Sequence, residues 1–593
     1  MEQQREPHDL DDPVLRDAAV AAARGGAPFD VLLAGGRVAD VATQELRAAD
    51  VGLTGSLIAS VHPRGARRDA RSVFDLAGAV IAPGLIDTHL HIESSMVTPR
   101  HYAAAVLPQG TTTICWDPHE IGNVLGLDGV RWAIAASRGL PLRVLVLAPS
   151  CVPSAPGLER SGAAFGPAEM TEMLSWPEIA GVAEVMDMRG VLDRAPRMRG
   201  IVAAGLAAGK LVCGHARGLE GAALQGFAAA GITSDHEITS GADVLEKLRA
   251  GFTVELRGSH DAVLRQAVAA LATLPLLPQT LTLCTDDVFA DDLAGAGGMI
   301  DVVRRVVRYG LGPLPALRAA TLNAAMRLGR RDLGLVAAGR RADLIVLDDL
   351  DGFAVRHVFA GGRHVAAEGL LRAPLRPDPV APPTATMHVR PLRSDDFILR
   401  AAGTRVRLRT VHRPRFTAWG VAEAAVQDGT VLLPPDAIMM AVIHRHGRAP
   451  ARPVPGVLTG WSAWRGALAT TVAHDSHNLV VFGRQPEDLA AAANAVIGAG
   501  GGMAVAERGQ VTALLALPVC GLLADAPIGE VAAGLRTLRA AADRIADWQP
   551  PDLTFKAVVG ASLACNPGPH VTDLGIADGT TGRIFADVVA ETE

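Results

Sequence analysis

Between Pro83 and about Leu328, short apolar runs alternate with Ala-rich stretches of helical spacing, and this alternation limits the fold more than any other feature of the chain. Repeated strand–helix–strand units require parallel strands with the helices packed outside them. The strand candidates are Val80–Ile86, Thr111–Trp116, Arg143–Ala148, Gly181–Val185, Leu211–Gly214, Ile232–Thr233, Thr253–Leu256 and Leu281–Cys284. Eight such strands predict an α/β fold, a (β/α)8 barrel of the TIM type spanning residues 83–330.

The 593 residues exceed what one core can serve, so flanking domains are expected. Residues 1–28 are polar and Ala/Arg-rich, with helical spacing over Val14 to Ala23, and read as a leading helical segment. From 29 to 82, short β-like runs split by Gly-rich turns suggest part of a small β-sandwich, and the same texture returns over 331–372, completing it. A Pro-rich linker, 373–384, then precedes a C-terminal α+β region, 385–593.

The charges nearly cancel, with 56 Lys+Arg against 62 Asp+Glu and no long block of one sign. Such a surface offers nothing to nucleic acid, and no apolar run approaches the ~20 residues of a membrane span. A small polar substrate is the better partner. Six cysteines without a Cys-x-x-Cys pair, behind an N-terminus lacking an apolar signal core, point to a reducing cytoplasm.

The first strand candidate runs into Gly84-Leu85-Ile86-Asp87-Thr88-His89-Leu90-His91. Alternate residues of an extended chain share a face, so His89 and His91 project together while Leu90 points away. Burying two imidazoles without a partner is costly, and a metal ion satisfies both. Catalytic groups in such barrels sit at the C-terminal strand ends. The other strands supply Asp117-Pro118-His119-Glu120, Glu184, His215, His236 and Asp286 there. Each residue alone reads equally well as a hydrogen-bonded core group or a helix cap. Together, four histidines and two carboxylates suit two divalent ions, for which manganese, iron and zinc are all candidates. Two such ions make hydroxide available at neutral pH, and Asp286 is placed to accept and return its proton.

These motifs resemble the metal-dependent amidohydrolase superfamily. Three longer strings, over 91–96, 117–124 and 183–188, are similar to those of the adenine deaminases. The resemblance spans essentially the whole chain. It implies that His89, His91 and Asp286 hold one ion and His215 and His236 the other, with Glu184 bridging where many relatives use a carboxylated lysine. It further implies hydrolysis of adenine to hypoxanthine and ammonia in purine salvage by a homo-oligomer, a dimer. Asp286, Glu184 and His236 would be the catalytic residues. Glu93, Ser94, His119, Glu120 and Asp287 would contact the purine, although a cap, a supporting hydrogen bond or a loop ion pair explains each equally well.

One stretch departs from that pattern. Many adenine deaminases carry an acidic residue and a histidine shortly after Thr-Asp-Asp, whereas this chain has Ala296-Gly297-Gly298-Met299-Ile300, which cannot make the same polar contact. In the C-terminal region His474 and His477 read as part of a hydrogen-bonded polar turn rather than a metal site. Two other functions fit the residues: a cyclic-amide amidohydrolase of hydantoin or dihydropyrimidine type using the same centre, and a barrel scaffold without chemistry. The missing bridging lysine weighs against the first, and the complete ligand set against the second.

Overall fold

The computed structural model describes residues 10–592 except 415 and 548–554. Its central feature is a series of eight short parallel strands. They are β1 (Leu85–Leu90), β2 (Thr111–Trp116), β3 (Arg143–Ala148), β4 (Ile179–Val185), β5 (Leu211–Gly214), β6 (Ser234–Asp235), β7 (Thr253–Arg257) and β8 (Leu281–Cys284). Strands β1 to β5 pair in sequence order as one sheet, and β6 to β8 as another. Helices follow the strands, among them Pro99–Val106, Pro196–Ala207, Gly241–Arg249 and Asp261–Leu271. β1, β2 and β8 are buried throughout, as expected of parallel strands covered on both faces.

The two sheets meet at both seams. Beside β5 and β6 the Thr233 amide donates to the Val212 carbonyl at 3.0 Å. Beside β8 and β1 the Asp286 amide donates to the His89 carbonyl at 3.1 Å, and Thr88 Oγ1 to the Leu283 carbonyl at 3.1 Å. Ile86, Cys115, Leu147, Ala183 and Cys213, one from each of β1 to β5, pack with Ala324, Ala325, Leu328 and Leu333. These side chains form an apolar cluster of their own, shared by the five strands and the segment that follows β8.

Two sequence expectations shift. The run Val80–Ile86 is two strands rather than one. Val80–Pro83 pairs antiparallel with Leu344–Leu347, Gly84 donates to the Asp343 carbonyl at 2.9 Å, and β1 starts at Leu85. A side chain on Gly84 would meet Thr112, so only glycine lets the chain pass from one sheet to the next. The sixth strand lies at Ser234–Asp235, two residues beyond the apolar pair Ile232–Thr233, because the backbone pairing with β7 starts there.

Strands from residues 29–83 and 344–371 form a single sheet. The leading helix covers Pro13–Ala23, capped by Asp12, whose side chain accepts from the Val14 amide. Residues 373–384 carry no helix or strand. Beyond them a ten-stranded sheet packs with helices Pro486–Gly498 and Ile528–Ile545. This C-terminal part is fastened to the strand-end loops: Ala524 donates to the Met96 carbonyl at 2.8 Å, and Arg160 pairs with Asp573 at 2.7 Å. All six cysteines are free thiols. Among the described residues no helix is long and apolar enough to cross a membrane.

Candidate active site

The polar strand ends converge on Glu184, at the end of β4. One carboxylate oxygen, Oε1, lies 3.8 Å from His89 Nε2 and 3.3 Å from His91 Nε2. The other, Oε2, lies 2.6 Å from His215 Nδ1 and 3.3 Å from His236 Nε2. Each oxygen therefore faces its own pair of imidazoles. Asp286 Oδ1 sits 3.6 Å from His89 Nε2 and 3.4 Å from His91 Nε2, on the side of the first pair. All six groups are buried.

Backbone and neighbouring side chains set these orientations. His91 Nδ1 donates to the Asp117 carbonyl at 3.0 Å, which directs Nε2 into the cluster. The rings of His89 and His236 stack with centroids 3.9 Å apart. Asp286 has a φ of 57°, the left-handed region, and its amide donates a hydrogen bond to the His89 carbonyl. Asp87 accepts from the Thr285 amide at 3.0 Å and its hydroxyl at 2.6 Å, joining the end of β1 to the segment that carries Asp286. Burial pushes the Asp87 carboxyl up to about 7.

The electrostatics test whether this donor set suits a cation. Burial raises the pKa of Glu184, but His236, His215 and His91 outweigh it and hold the carboxyl well below its ordinary value. Burial opposes the charge on His236, yet Glu184 and Asp286 push that imidazole up to about 9. The two carboxylates thus demand positive charge, and protons on the imidazoles can supply it. His89 Nε2, buried beside both carboxylates, has no hydrogen-bond partner. Divalent cations would replace those protons and give that nitrogen a bond, so the residues fit the ions that this arrangement calls for.

A cavity of about 160 Å³ opens from the cluster and is lined by His119, Asp287 and Arg257 among others. Its far wall comes from the C-terminal part: His474, Asp475, Val559, Leu563 and Asn566. Of the five residues proposed to touch substrate, His119 and Asp287 face this space. His119 Nδ1 is 3.1 Å from Asp117 Oδ2, and its Nε2 is 3.6 Å from Asp475 Oδ1. Glu93, Ser94 and Glu120 lie outside the lining. Glu93 accepts from Trp116 Nε1 at 2.7 Å and from the Ile121 amide at 3.3 Å, and burial beside Glu120 pushes it up to about 8. Ser94 donates to Asp287 at 2.5 Å. Met299 and Ile300 of the divergent loop are buried in the core and do not line the cavity.

Sequence reasoning missed two contributors. Arg257 ends β7 and pairs with Asp286 Oδ2 at 2.6 Å. Burial raises the Asp286 pKa, but Arg257, with His89 and His91, holds the carboxyl well below its usual range. A charged residue closing an apolar strand was the available signal. Asp475 had none, because its place in the wall arises from the docking of a remote loop. Lys210, the nearest lysine in sequence to the bridging position, donates to the Leu174 and Trp176 carbonyls at 2.8 and 3.3 Å and takes no part in the cluster.

Parallel strands ending in a histidine–carboxylate cluster define a hydrolase of the amidohydrolase class, and the amidohydrolase family model matches residues 80–365. A second model, the adenine deaminase C-terminal domain, matches residues 414–583. Adenine deaminase 2 of Rhizobium meliloti (strain 1021) is 62% identical over 99% of both chains. Its namesake of Agrobacterium fabrum is 61% identical over 99% of this chain and 98% of its own. Adenine deaminase of Klebsiella pneumoniae (strain 342) is 55% identical over 97% of this chain and 96% of its own. The chain belongs to the adenine deaminase family.

Proposed function

We propose that this protein hydrolyses adenine at C6, adding water and releasing ammonia to leave hypoxanthine, as a step of purine salvage. The observation that carries the reading is the placement of Glu184, one oxygen toward each histidine pair with Asp286 beside the first. In this reading the eight parallel strands form one closed barrel over 83–330. Segments 29–82 and 331–372 make one small β-domain built on their shared sheet, and a C-terminal α+β domain, 385–593, roofs the site.

His89, His91 and Asp286 would hold one divalent ion, His215 and His236 a second, and Glu184 both, with manganese preferred. Bound there, such ions supply Lewis acidity and make hydroxide available at neutral pH. Asp286 takes a proton from the attacking water and delivers it toward the ring nitrogen and the departing amine. Glu184 and His236 keep that geometry. His119 and Asp287 hold the purine edge, and the roof from the C-terminal part excludes bulk water. Glu93, Ser94 and Glu120 support this wall from behind. We also propose a cytoplasmic homodimer.

Incubation of manganese-loaded protein with adenine should release ammonia and convert the ultraviolet spectrum to that of hypoxanthine. Absence of turnover with manganese, iron or zinc would overturn the reading. So would a cyclic amide that outcompetes adenine, an outcome that Glu184 in place of a bridging lysine argues against.

A further inference from the structure

Next to the six-residue cluster lies another group of donors, none of which takes part in the proposed chemical step. Glu120, in the first turn of helix His119–Leu125, meets His474 and His477 from the loop between strands Ala467–Thr470 and Leu479–Gly483. His477 Nε2 is 3.4 Å from Glu120 Oε2, and His474 Nδ1 is 3.8 Å from Glu120 Oε1. All three donor atoms lie within 4.8 Å of one another.

Glu120 and His477 are fully buried, yet Glu120 Oε2 and His477 Nε2 make no hydrogen bond. Burying two polar atoms unsatisfied is expensive, so the arrangement calls for something between them. His477 Nδ1 is engaged by backbone, 3.2 Å from the Thr471 carbonyl and 3.3 Å from the Ala473 amide, which fixes the ring with Nε2 toward Glu120. The spacing also fits a cation. Donor atoms bonded at about 2.1 Å in a tetrahedron lie about 3.4 Å from one another, close to the separations here. Ser94 Oγ, 3.4 Å from Glu120 Oε1, is a nearby oxygen donor, and Asp475 Oδ1 lies 3.4 Å from His474 Nδ1.

We propose that Glu120, His474 and His477 form an additional cation site, separate from the Glu184 cluster, for a divalent transition-metal ion of the zinc or manganese class. Two imidazoles and a carboxylate are the donor set such ions accept. Because Glu120 belongs to the helix that follows β2 and both histidines to the C-terminal part, the ion staples the roof of the cavity to its wall. Binding to the folded state alone then stabilises the whole chain by mass action.

The test strips the full-length protein with a chelator, titrates it with manganese or zinc chloride, and counts bound metal after gel filtration. Wild type should bind one more ion per chain than His477→Gln, and the last equivalent should raise the melting temperature of wild type only. Equal metal counts in the two proteins would overturn the site. Should His477→Gln fail to fold, anomalous diffraction from manganese-soaked wild-type crystals decides. A peak within about 2.3 Å of both Glu120 and His477 supports the site, and no peak there refutes it. Neither readout uses adenine turnover, so this site and the deaminase reading stand or fall separately.

Discussion

Replacing Lys247 by Met tests whether a buried ionic anchor holds the second histidine pair. Lys247, on helix Gly241–Arg249, is completely buried, with its ammonium 2.6 Å from Asp235 Oδ2, 3.1 Å from Asp243 Oδ1 and 3.0 Å from the Glu237 carbonyl. Asp235 in turn accepts from the Ala216 amide at 2.6 Å and the Glu237 amide at 3.1 Å. Those amides adjoin His215 and His236, so the lysine spans both ligand-bearing loops. Methionine keeps most of the stem, which makes the cavity contribution small. The dominant cost is two carboxylates left buried without their cation, about 3–5 kcal/mol. At about 2 °C per kcal/mol for a large cooperative unit, the melting temperature should fall by ~6–10 °C. Displaced ligand loops should also weaken metal binding ~10–100-fold. Differential scanning calorimetry and chelator competition measure the two effects. Adding Asp243→Asn should recover part of the stability, since the sites are coupled. A loss below about 2 °C with unchanged metal affinity would refute the argument.

Asp286→Asn removes the proposed proton carrier while keeping its shape and one metal-binding oxygen, and kcat should fall at least ~100-fold with metal content largely retained. Steady-state kinetics beside elemental analysis checks this, and undiminished kcat would dismiss the assignment. His364 stacks on Phe359, and burial, with His357 and Arg372 nearby, pushes its imidazole down to about 4. Because the folded value lies below the unfolded one, its stabilising contribution is complete above about pH 6.5 and is lost as pH falls toward 4. Full linkage would be worth about 3 kcal/mol, which solvent at this half-buried ring reduces to about 1 kcal/mol. Urea unfolding of wild type and His364→Gln at pH 7 and 4.5 should show a shallower acid decline in the variant. Parallel declines would contradict it.

Much of the centre was legible because strand periodicity ties sequence spacing to direction. His89 and His91 had to share a face, His215 and Asp286 follow apolar runs of strand length, and Glu184 lies near the end of another. β2, β3, β5 and β8 have the boundaries that composition predicts. Where apolar character and backbone pairing disagree, as at Ile232–Thr233, the predicted strand missed by two residues. Val80–Ile86 read as one strand because Gly84 changes sheets without interrupting hydrophobicity.

The kinds of donor, their order along the chain and the ends of the strands that carry them are local properties, and the sequence alone determined them. Which oxygen of Glu184 faces which pair, the Arg257 contact with Asp286, the entry of His474 and Asp475 into the cavity wall, and the meeting of His477 with Glu120 came only from tertiary structure. The reason is physical. A side chain's direction along its own strand follows from backbone geometry, whereas a contact between segments hundreds of residues apart depends on how whole layers pack, which no local pattern encodes.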